Sequence, residues 1–149
     1  MPETWSKDGY EVSTDPDRLS LPVVHGFLRT AYWSQEIPRD TLERAVAGSL
    51  NFGLYRREEQ IGYARVVTDK ATFAWLCDVF VLEPSRGQGL GRWLVACVLA
   101  HPALQGLRRW MLATADAHSL YRDFGFEVPE DPGFLMARRV KDIYKTAAR

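Results

Sequence analysis

Three glycines alternate with other residues where an apolar strand pattern gives way to an apolar helical pattern. They are Gly87, Gly89 and Gly91, and the strand pattern before them ends at Glu83-Pro84. The first turn of a helix leaves backbone N–H groups unpaired and carries partial positive charge. Because glycine has no Cβ, an anion can approach the main chain closely there. The position of the glycines between strand and helix therefore predicts a phosphate-binding turn.

Two familiar phosphate-binding motifs fit this turn poorly. A P-loop needs Gly-Lys-Ser or Gly-Lys-Thr, whereas Gly91 is followed by Arg92 and Trp93. A dinucleotide-binding fold needs Gly-x-Gly-x-x-Gly early in a strand–helix–strand unit, whereas these glycines follow predicted antiparallel strands. The turn therefore indicates a phosphate-containing ligand of another kind.

Two titratable side chains have types and positions suited to proton transfer. Asp78 is the one charged residue in the apolar run 72–82, which makes it a candidate general base. His118 lies three residues before Tyr121, so the two share one face of a short predicted helix, and histidine titrates near neutral pH. Each has a structural alternative, which is a buried carboxylate bonded to backbone or arginine for Asp78 and a surface histidine for His118.

Composition excludes several classes of function. The chain has 149 residues, 46% of them hydrophobic and 26% charged, with a formal net charge of zero. These values predict a single globular domain over residues 1–149 and argue against nucleic acid as a partner. The polar N-terminus lacks the features of a signal peptide, and no apolar stretch approaches the length of about 20 residues that a membrane span needs. We therefore expect a cytoplasmic protein with no membrane partner.

The two cysteines predict neither a disulfide nor a metal site. Cys77 and Cys97 lie in apolar runs, without CxxC spacing and without a histidine pair nearby. We expect two reduced, buried thiols.

Strand and helix patterns follow one another in an order that positions these residues. Predicted strands cover 10–14 (an edge strand), 51–56, 60–68, 72–82, 110–113 and 134–140. Predicted helices cover 21–32 with Ser20 as N-cap, 38–48, 90–100 and 118–124, before a polar tail of partly helical character. Short polar turns join the middle strands as antiparallel hairpins. Residues 72–82 are apolar at both odd and even positions, which predicts a central strand that is covered on both faces. The order predicts an α/β fold with a mixed, mainly antiparallel sheet.

The glycine turn also resembles the acetyl-CoA signature of the GNAT superfamily of N-acetyltransferases. That signature is Gln or Arg, two residues, Gly, one residue, and Gly or Ala, and Arg86, Gly89 and Gly91 match it. The resemblance implies the GNAT fold, in which helices flank a central sheet and the fourth and fifth strands splay apart.

A second stretch carries the same resemblance. Residues 120–126 are similar to the family's second motif, with Tyr121 on a short helix followed four residues later by Gly125-Phe126. The two motifs together cover about residues 72–126.

The resemblance implies acetyl-CoA as the acyl donor and assigns residues to it. The pantetheine arm would add to the end of the fourth strand like a further strand, and the pyrophosphate would bind backbone N–H groups of the glycine turn. Arg86 and Arg92 are candidate charge partners of the phosphates, with solvated surface charges as the alternative. The implied cofactor-binding residues are Val79, Phe80, Val81, Arg86, Gly87, Gln88, Gly89, Leu90, Gly91, Arg92 and, where many members carry an asparagine, Thr114.

The implied reaction is attack of a neutral amine on a thioester. An alkylammonium of pKa about 10.4 must lose a proton, and the departing thiolate, of pKa about 8.5, takes one up. Tyr121 matches the family tyrosine near the sulfur and is the candidate acid, with core packing as its alternative role. Tyr32 and Trp33, between the first two helices, and His118 are expected to line the site of a small-molecule or peptide amine.

Two alternatives remain besides an enzyme. A non-catalytic module that senses acyl-CoA would keep the glycine turn but tolerate the loss of Tyr121, and an interaction protein on the same scaffold would need neither. The presence of both features favours the enzyme. The sequence leaves the oligomeric state open, a homodimer included.

Overall fold

The computed structural model describes residues 1–147 and contains one six-stranded sheet with helices packed on its two faces. The strands are β1 (Thr4–Lys7), β2 (Tyr10–Ser13), β3 (Leu50–Arg56), β4 (Glu59–Thr68), β5 (Phe73–Val81) and β6 (Arg109–Met111). The helices are α1 (Leu21–Leu28), α2 (Arg39–Ala47), α3 (Leu90–Ala100), α4 (His118–Arg122) and α5 (Ile143–Ala147). Each strand pairs with the next in chain order, antiparallel up to β5 and parallel between β5 and β6. The predicted mixed, mainly antiparallel sheet is confirmed.

Alternation along the strands divides the core between the two faces of the sheet. In β4, Ala64 packs with Leu94 and Val98 of α3, whereas its neighbour Tyr63 packs with Leu28 of α1 on the opposite face. Successive side chains of a strand point to opposite faces, so a strand with helices on both sides must be apolar at both parities. This explains the continuous apolar character of the middle strands.

Local signals determine where the helices begin. The Ser20 hydroxyl accepts a hydrogen bond from the Val23 N–H, which confirms the predicted N-cap of α1. The helix α3 has its predicted bounds and begins after Gly89, whose φ of 77° lies in the left-handed region that glycine adopts without strain. The last helix lies in the polar tail, as expected.

Three predictions at the ends of elements are wrong. The predicted edge strand 10–14 pairs on both sides, because β1 precedes it across the two-residue turn Asp8-Gly9. An Asp-Gly pair between strands is a hairpin signal that could have revealed β1. The first helix ends at Leu28 and not at Tyr32, since the chain turns back there toward α2.

The third error concerns the predicted last strand 134–140. Those residues follow a short 3₁₀ turn (Pro132–Phe134) and have irregular, exposed backbone up to Val140. An alternating apolar pattern forms a strand only where a neighbouring strand satisfies its backbone groups. The described chain offers residues 134–140 no such partner.

The strands β5 and β6 diverge. They correspond to the family's fourth and fifth strands, because β1 adds one to the strand numbers here, and the resemblance implies that this pair splays apart. Their pairing begins at Phe73 with Arg109 and ends at Trp75 with Met111, while β5 continues to Val81. A register shift against β4 accompanies a φ of 55° at Asp78, which marks a bulge in β5. The far half of β5 therefore has a free edge that faces the start of α3.

Candidate functional site

The glycine turn presents backbone N–H groups to open space. Within the described residues, no carbonyl accepts from the N–H groups of residues 87–92, and the first turn of α3 begins with Trp93 donating to the Gly89 carbonyl. A Cβ added to Gly87 or Gly89 would meet no protein atom within 4 Å. The turn therefore has both the donors and the free space that an anion requires.

Three side chains of the glycine turn have partners within the protein. The first residue of the signature is Arg86. The Arg86 N–H donates to the Glu83 carbonyl, and its Nε donates to the Val81 carbonyl at 2.8 Å. The guanidinium of Arg92 binds the Asp123 carboxylate at 2.6 Å on the surface between α3 and α4. The Gln88 side chain accepts from the Tyr10 hydroxyl at 3.0 Å. These side chains have partners within the protein, so the main-chain N–H groups are the donors that the turn leaves free for an anion.

A cleft of about 270 Å³ extends from the turn along the free edge of β5 to α4. It contains eight of the predicted cofactor-binding residues together with the candidate acid. These nine are Val79, Phe80, Val81, Arg86, Gly87, Gly89, Leu90, Gly91 and Tyr121. The fold thus joins residues from the two sequence motifs in one continuous surface.

Tyr121 lines this cleft, and local packing holds it in place. After α4, Gly125 adopts a φ of 89°, and the turn that it makes places the Phe126 ring edge-on to Tyr121 at 5.9 Å. Tyr121 is only 9% exposed, and it lines the cleft. Burial raises the pKa of Tyr121 above its usual value, and Tyr32 and Asp116 add to the rise. The phenol therefore keeps its proton through neutral pH.

Asp78 connects the bulge in β5 to the loop after α1. Its Oδ2 accepts from Arg65 Nε at 2.8 Å, and its Oδ1 accepts from Trp33 Nε1 at 2.9 Å. The Asp78 side chain is 9% exposed and that of Arg65 is 18% exposed, so this ion pair is largely shielded from water. Arg65 also donates to the Ser49 hydroxyl at 3.0 Å. The carboxylate is thus held between a strand neighbour and an aromatic side chain of the loop.

Aromatic rings continue from β5 across the loop after α1. Phe80 stacks on Phe27 at 4.1 Å, Phe27 contacts Trp33 at 6.3 Å, and Trp33 meets Tyr32 edge-on at 5.0 Å. The Tyr32 hydroxyl accepts from the Ala115 N–H at 3.1 Å, which links this loop to the one before α4. Tyr32 and Trp33 are 59% and 43% exposed, so this row of rings presents an aromatic surface to a ligand.

Two predicted residues lie on a different surface. Thr114 and His118 line a larger groove of about 720 Å³ that runs beside β6, and Tyr121 borders both spaces. The Thr114 hydroxyl accepts from the Ala117 N–H at 3.0 Å, which stabilises the start of α4. The structure thus places these two residues in the lining of the larger groove and outside the lining of the smaller cleft.

Sequence reasoning missed three contributors to the site. Arg65 is the ion-pair partner of Asp78, and its position opposite Cys77 in the predicted hairpin was the available signal, because cross-strand neighbours interact. Leu120 lines the cleft within the second motif. Phe27 extends the aromatic row, and no local pattern distinguishes it from a core residue of α1.

No group of three or more metal-ligating side chains occurs among the described residues. None of their helices is both long and apolar enough to cross a membrane.

Comparisons with known proteins agree with this geometry. Residues 48–128 of the 149 match the family model of the acetyltransferase (GNAT) domain. A Gibberella zeae protein named as a putative acetyltransferase is 35% identical over 114 residues, a match that covers 63% of this chain and 64% of that protein. The chain thus spans slightly less than two-thirds of the length of this curated relative.

Solved structures extend the likeness to nearly the whole chain. A GNAT-family protein of Xanthomonas campestris is 44% identical, with a TM-score of 0.90, over 93% of this chain and 99% of that one. A GNAT-family acetyltransferase of Elizabethkingia anophelis, solved with acetyl-CoA bound, shares the fold at 14% identity and a TM-score of 0.64, over 91% of each chain. On the family model and the Xanthomonas structure together, this chain belongs to the GNAT family of acetyltransferases.

Proposed function

We propose that the chain is an acetyl-CoA-dependent N-acetyltransferase that acetylates a primary amine of a small molecule or peptide. The observation that carries the proposal is the single cleft that joins unpaired N–H groups at the start of α3 to the hydroxyl of Tyr121. A ligand with phosphates at one end and a reactive group at the other fits such a cleft. Acetyl-CoA has this arrangement.

The donor would be held mainly by the main chain. Its pyrophosphate would accept from the N–H groups of residues 87–92, in the partial positive field at the start of α3. Its pantetheine amides would pair with the free edge of β5 at Val79 to Val81, as an added strand does. The thioester would then lie near Tyr121, which lines the cleft.

Tyr121 would donate a proton to the sulfur as the carbon–sulfur bond breaks. The sulfur leaves more readily as a thiol, of pKa about 8.5, than as the thiolate anion. A phenol with a raised pKa keeps its proton at neutral pH and can therefore supply it. The position of Tyr121 in the lining of the cleft that contains the glycine turn supports this role.

On the acceptor side, the proposal assigns the amine proton to Asp78. Deprotonation of an alkylammonium at pH 7 costs about 4.6 kcal/mol, so a nearby proton acceptor assists the reaction. A carboxylate has about four lone-pair positions, and Arg65 and Trp33 occupy two of those on Asp78. The aromatic surface of Tyr32 and Trp33 would pack against the carbon skeleton of the acceptor.

Asp78 could also act by holding Trp33, and a pair of variants separates the two roles. Asp78→Asn keeps an acceptor oxygen for Trp33 but removes the base, whereas Trp33→Phe keeps the base and removes the hydrogen bond. If Asp78 is the base, only Asp78→Asn lowers kcat, and it does so without a matching rise in KM. Equal losses in the two variants would assign Asp78 to positioning.

Titration calorimetry with acetyl-CoA, followed by an assay of free coenzyme A release with a panel of amines, amino acids and peptides, tests the function. We expect a micromolar Kd and acceptor-dependent release. Binding without release from any acceptor would favour the acyl-CoA sensor, and absence of binding at millimolar acetyl-CoA would refute both.

A further inference from the structure

Two aromatic side chains on the loop after α1 bind the protein through their polar atoms and stay exposed. A tyrosine or tryptophan on a protein surface ordinarily buries its apolar ring and turns its polar atom to water. Here Trp33 donates from Nε1 to Asp78 at 2.9 Å, and the Tyr32 hydroxyl accepts from the Ala115 N–H at 3.1 Å. The two residues are nevertheless 43% and 59% exposed. With their polar atoms engaged, these residues offer ring surface to a ligand.

The two rings are held in place before a ligand binds. They meet edge-on at 5.0 Å, and Phe27 of α1 supports Trp33 at 6.3 Å. Their hydrogen bonds anchor one ring to β5 and the other to the loop before α4. A surface that is already ordered binds a flat apolar group without the entropy cost of ordering itself.

The Asp78 carboxylate can place an ammonium group beside these rings. Trp33 and Arg65 bond to its two oxygens, which leaves about two of its four lone-pair positions for a ligand. Charge-assisted hydrogen bonds are about 2.8 Å long, so an ammonium on Oδ1 lies within about 6 Å of Trp33 Nε1. An aromatic ring that a short carbon chain joins to this nitrogen therefore reaches Trp33 and Tyr32.

A second carboxylate lies on the same side of the site. Asp116 follows Ala115, the hydrogen-bond partner of Tyr32. Burial raises the pKa of Tyr121, and the Asp116 carboxylate adds to the rise, which places this charge near the phenol. A ligand between the aromatic loop and Tyr121 therefore meets two carboxylates.

Two cations on this side each have an anion beside them. Arg65 is bonded to Asp78 and to the Ser49 hydroxyl and is largely buried. On the loop after α1, the Glu36 N–H donates to the Arg29 carbonyl at 2.8 Å, which brings one anion and one cation together. These surroundings favour an ammonium ligand and oppose a ligand with a carboxylate of its own.

We propose that the acceptor is a primary amine that carries an aromatic ring two or three carbons from the nitrogen and has no carboxylate. Its ammonium binds Asp78, its ring packs on Tyr32 and Trp33, and the Asp116 carboxylate disfavours acids such as free amino acids. This inference rests on the proposed function, since it names the acceptor of that reaction.

The transfer balances with this acceptor. Asp78 takes one proton from the ammonium, and the nitrogen then forms a bond to the acetyl carbon. As the carbon–sulfur bond breaks, Tyr121 gives its proton to the sulfur, and the proton that the new amide nitrogen loses replaces it. The ammonium and acetyl-CoA thus give an N-acetyl amine, coenzyme A and one proton.

Three probe amines separate the contributions of the ring and the charge. The assay measures kcat/KM for coenzyme A release with 2-phenylethylamine, with 2-cyclohexylethylamine, which has a similar size but no aromatic face, and with phenylalanine, which adds a carboxylate. We expect 2-phenylethylamine to exceed 2-cyclohexylethylamine by about 2- to 12-fold. We expect it to exceed phenylalanine by roughly 3- to 100-fold, the range that one like charge at about 6 Å gives between exposed and partly buried surroundings. Equal use of all three amines would overturn the inference and leave the proposed function standing.

Variants of the loop and of Asp116 test the two selecting features. Tyr32→Leu should bring the ratio of kcat/KM between 2-phenylethylamine and 2-cyclohexylethylamine close to one, whereas Tyr32→Phe keeps the ring and should keep most of the preference. Asp116→Asn should raise the use of phenylalanine relative to 2-phenylethylamine. Ratios that stay at the wild-type values in Tyr32→Leu and Asp116→Asn would contradict the roles of the ring and the carboxylate.

Calorimetric binding of 2-phenylethylamine to the protein saturated with coenzyme A adds a readout that needs no turnover. We expect tighter binding than for phenylalanine, and weaker binding in Tyr32→Leu. Such binding without coenzyme A release from acetyl-CoA would refute the proposed reaction but keep the site for an aromatic amine. Release with other amines and no preferential binding of 2-phenylethylamine would refute this inference alone.

Discussion

Gly89 offers a direct test of the phosphate-binding turn, because the chain contains a matched control for it. Gly89 and Gly106 have φ values of 77° and 74°, and a Cβ added to either would meet no atom within 4 Å. Gly89 borders the cleft, whereas Gly106 borders neither the cleft nor the larger groove. Gly89→Ala and Gly106→Ala therefore introduce the same backbone strain at two different places.

The expected losses of stability are alike. An L-residue in the left-handed region costs about 1–2 kcal/mol, and at this chain length 1 kcal/mol lowers the Tm by about 2–4 °C. Both variants should melt roughly 2–8 °C below the wild type when no ligand is present. Differential scanning fluorimetry measures this.

The expected losses of binding differ. The new methyl group at position 89 would enter open space beside the cleft, so we expect it to cost the pyrophosphate at least one charge-assisted hydrogen bond to the turn. Such a bond contributes about 1.5–3 kcal/mol, which raises the Kd of acetyl-CoA roughly 10- to 150-fold. Gly106→Ala should bind acetyl-CoA like the wild type in titration calorimetry. Equal Kd values for the two variants would refute the assignment of the turn.

Three further predictions concern titratable groups. Tyr121→Phe should lower kcat by about 10²- to 10⁴-fold while the Kd of acetyl-CoA changes only a few-fold. Because the pKa of Tyr121 is raised, the wild-type rate should hold up to about pH 10. Full turnover in the variant would mean that Tyr121 has only a packing role. Cys97 is buried and Cys77 is half-buried, and this burial raises the pKa of both thiols. Both should therefore react with a disulfide reagent at pH 8 far more slowly in the native protein than in urea, and equal rates would contradict the raised pKa values. Burial lowers the pKa of His101, whose Nδ1 accepts from the Ala103 N–H. The neutral His101 side chain therefore makes its full contribution to the free energy of unfolding above about pH 6.5, and that contribution is lost as the pH falls through the lowered pKa. The Tm should therefore fall between pH 7.5 and pH 5, and it should fall less steeply in His101→Asn. Parallel curves of Tm against pH for the two proteins would show that His101 is not the source of this pH dependence.

Much of the fold could be predicted from local patterns. The middle strands and α3 were located to within about one residue, because alternating or helical apolar spacing persists over many residues and polar turns end it. The ends of the chain were predicted less well. In β1 the strand pattern is short, although the Asp8-Gly9 pair is a hairpin signal, whereas residues 134–140 have the pattern but pair with no strand among the described residues.

The candidate site divides in the same way. The glycine turn and Tyr121 were identified from sequence because each belongs to a local motif whose spacing sets its geometry within one turn of helix. Asp78 was noticed as a lone charge, but neither its bulge nor its partners Arg65 and Trp33 follow from a local pattern. Those contacts join residues 13 and 45 positions apart, so they depend on how the strands register and where the loop after α1 returns.

The sequence by itself therefore determined the order of elements from β2 to α4 and the positions of the glycine turn and the motif tyrosine, because each rests on interactions among residues close together in the chain. Only the tertiary structure decided where β5 and β6 diverge, that one cleft joins the turn to Tyr121, and that Thr114 and His118 line the larger groove instead of that cleft. These features arise from strand register and helix packing between distant segments, which no local pattern encodes.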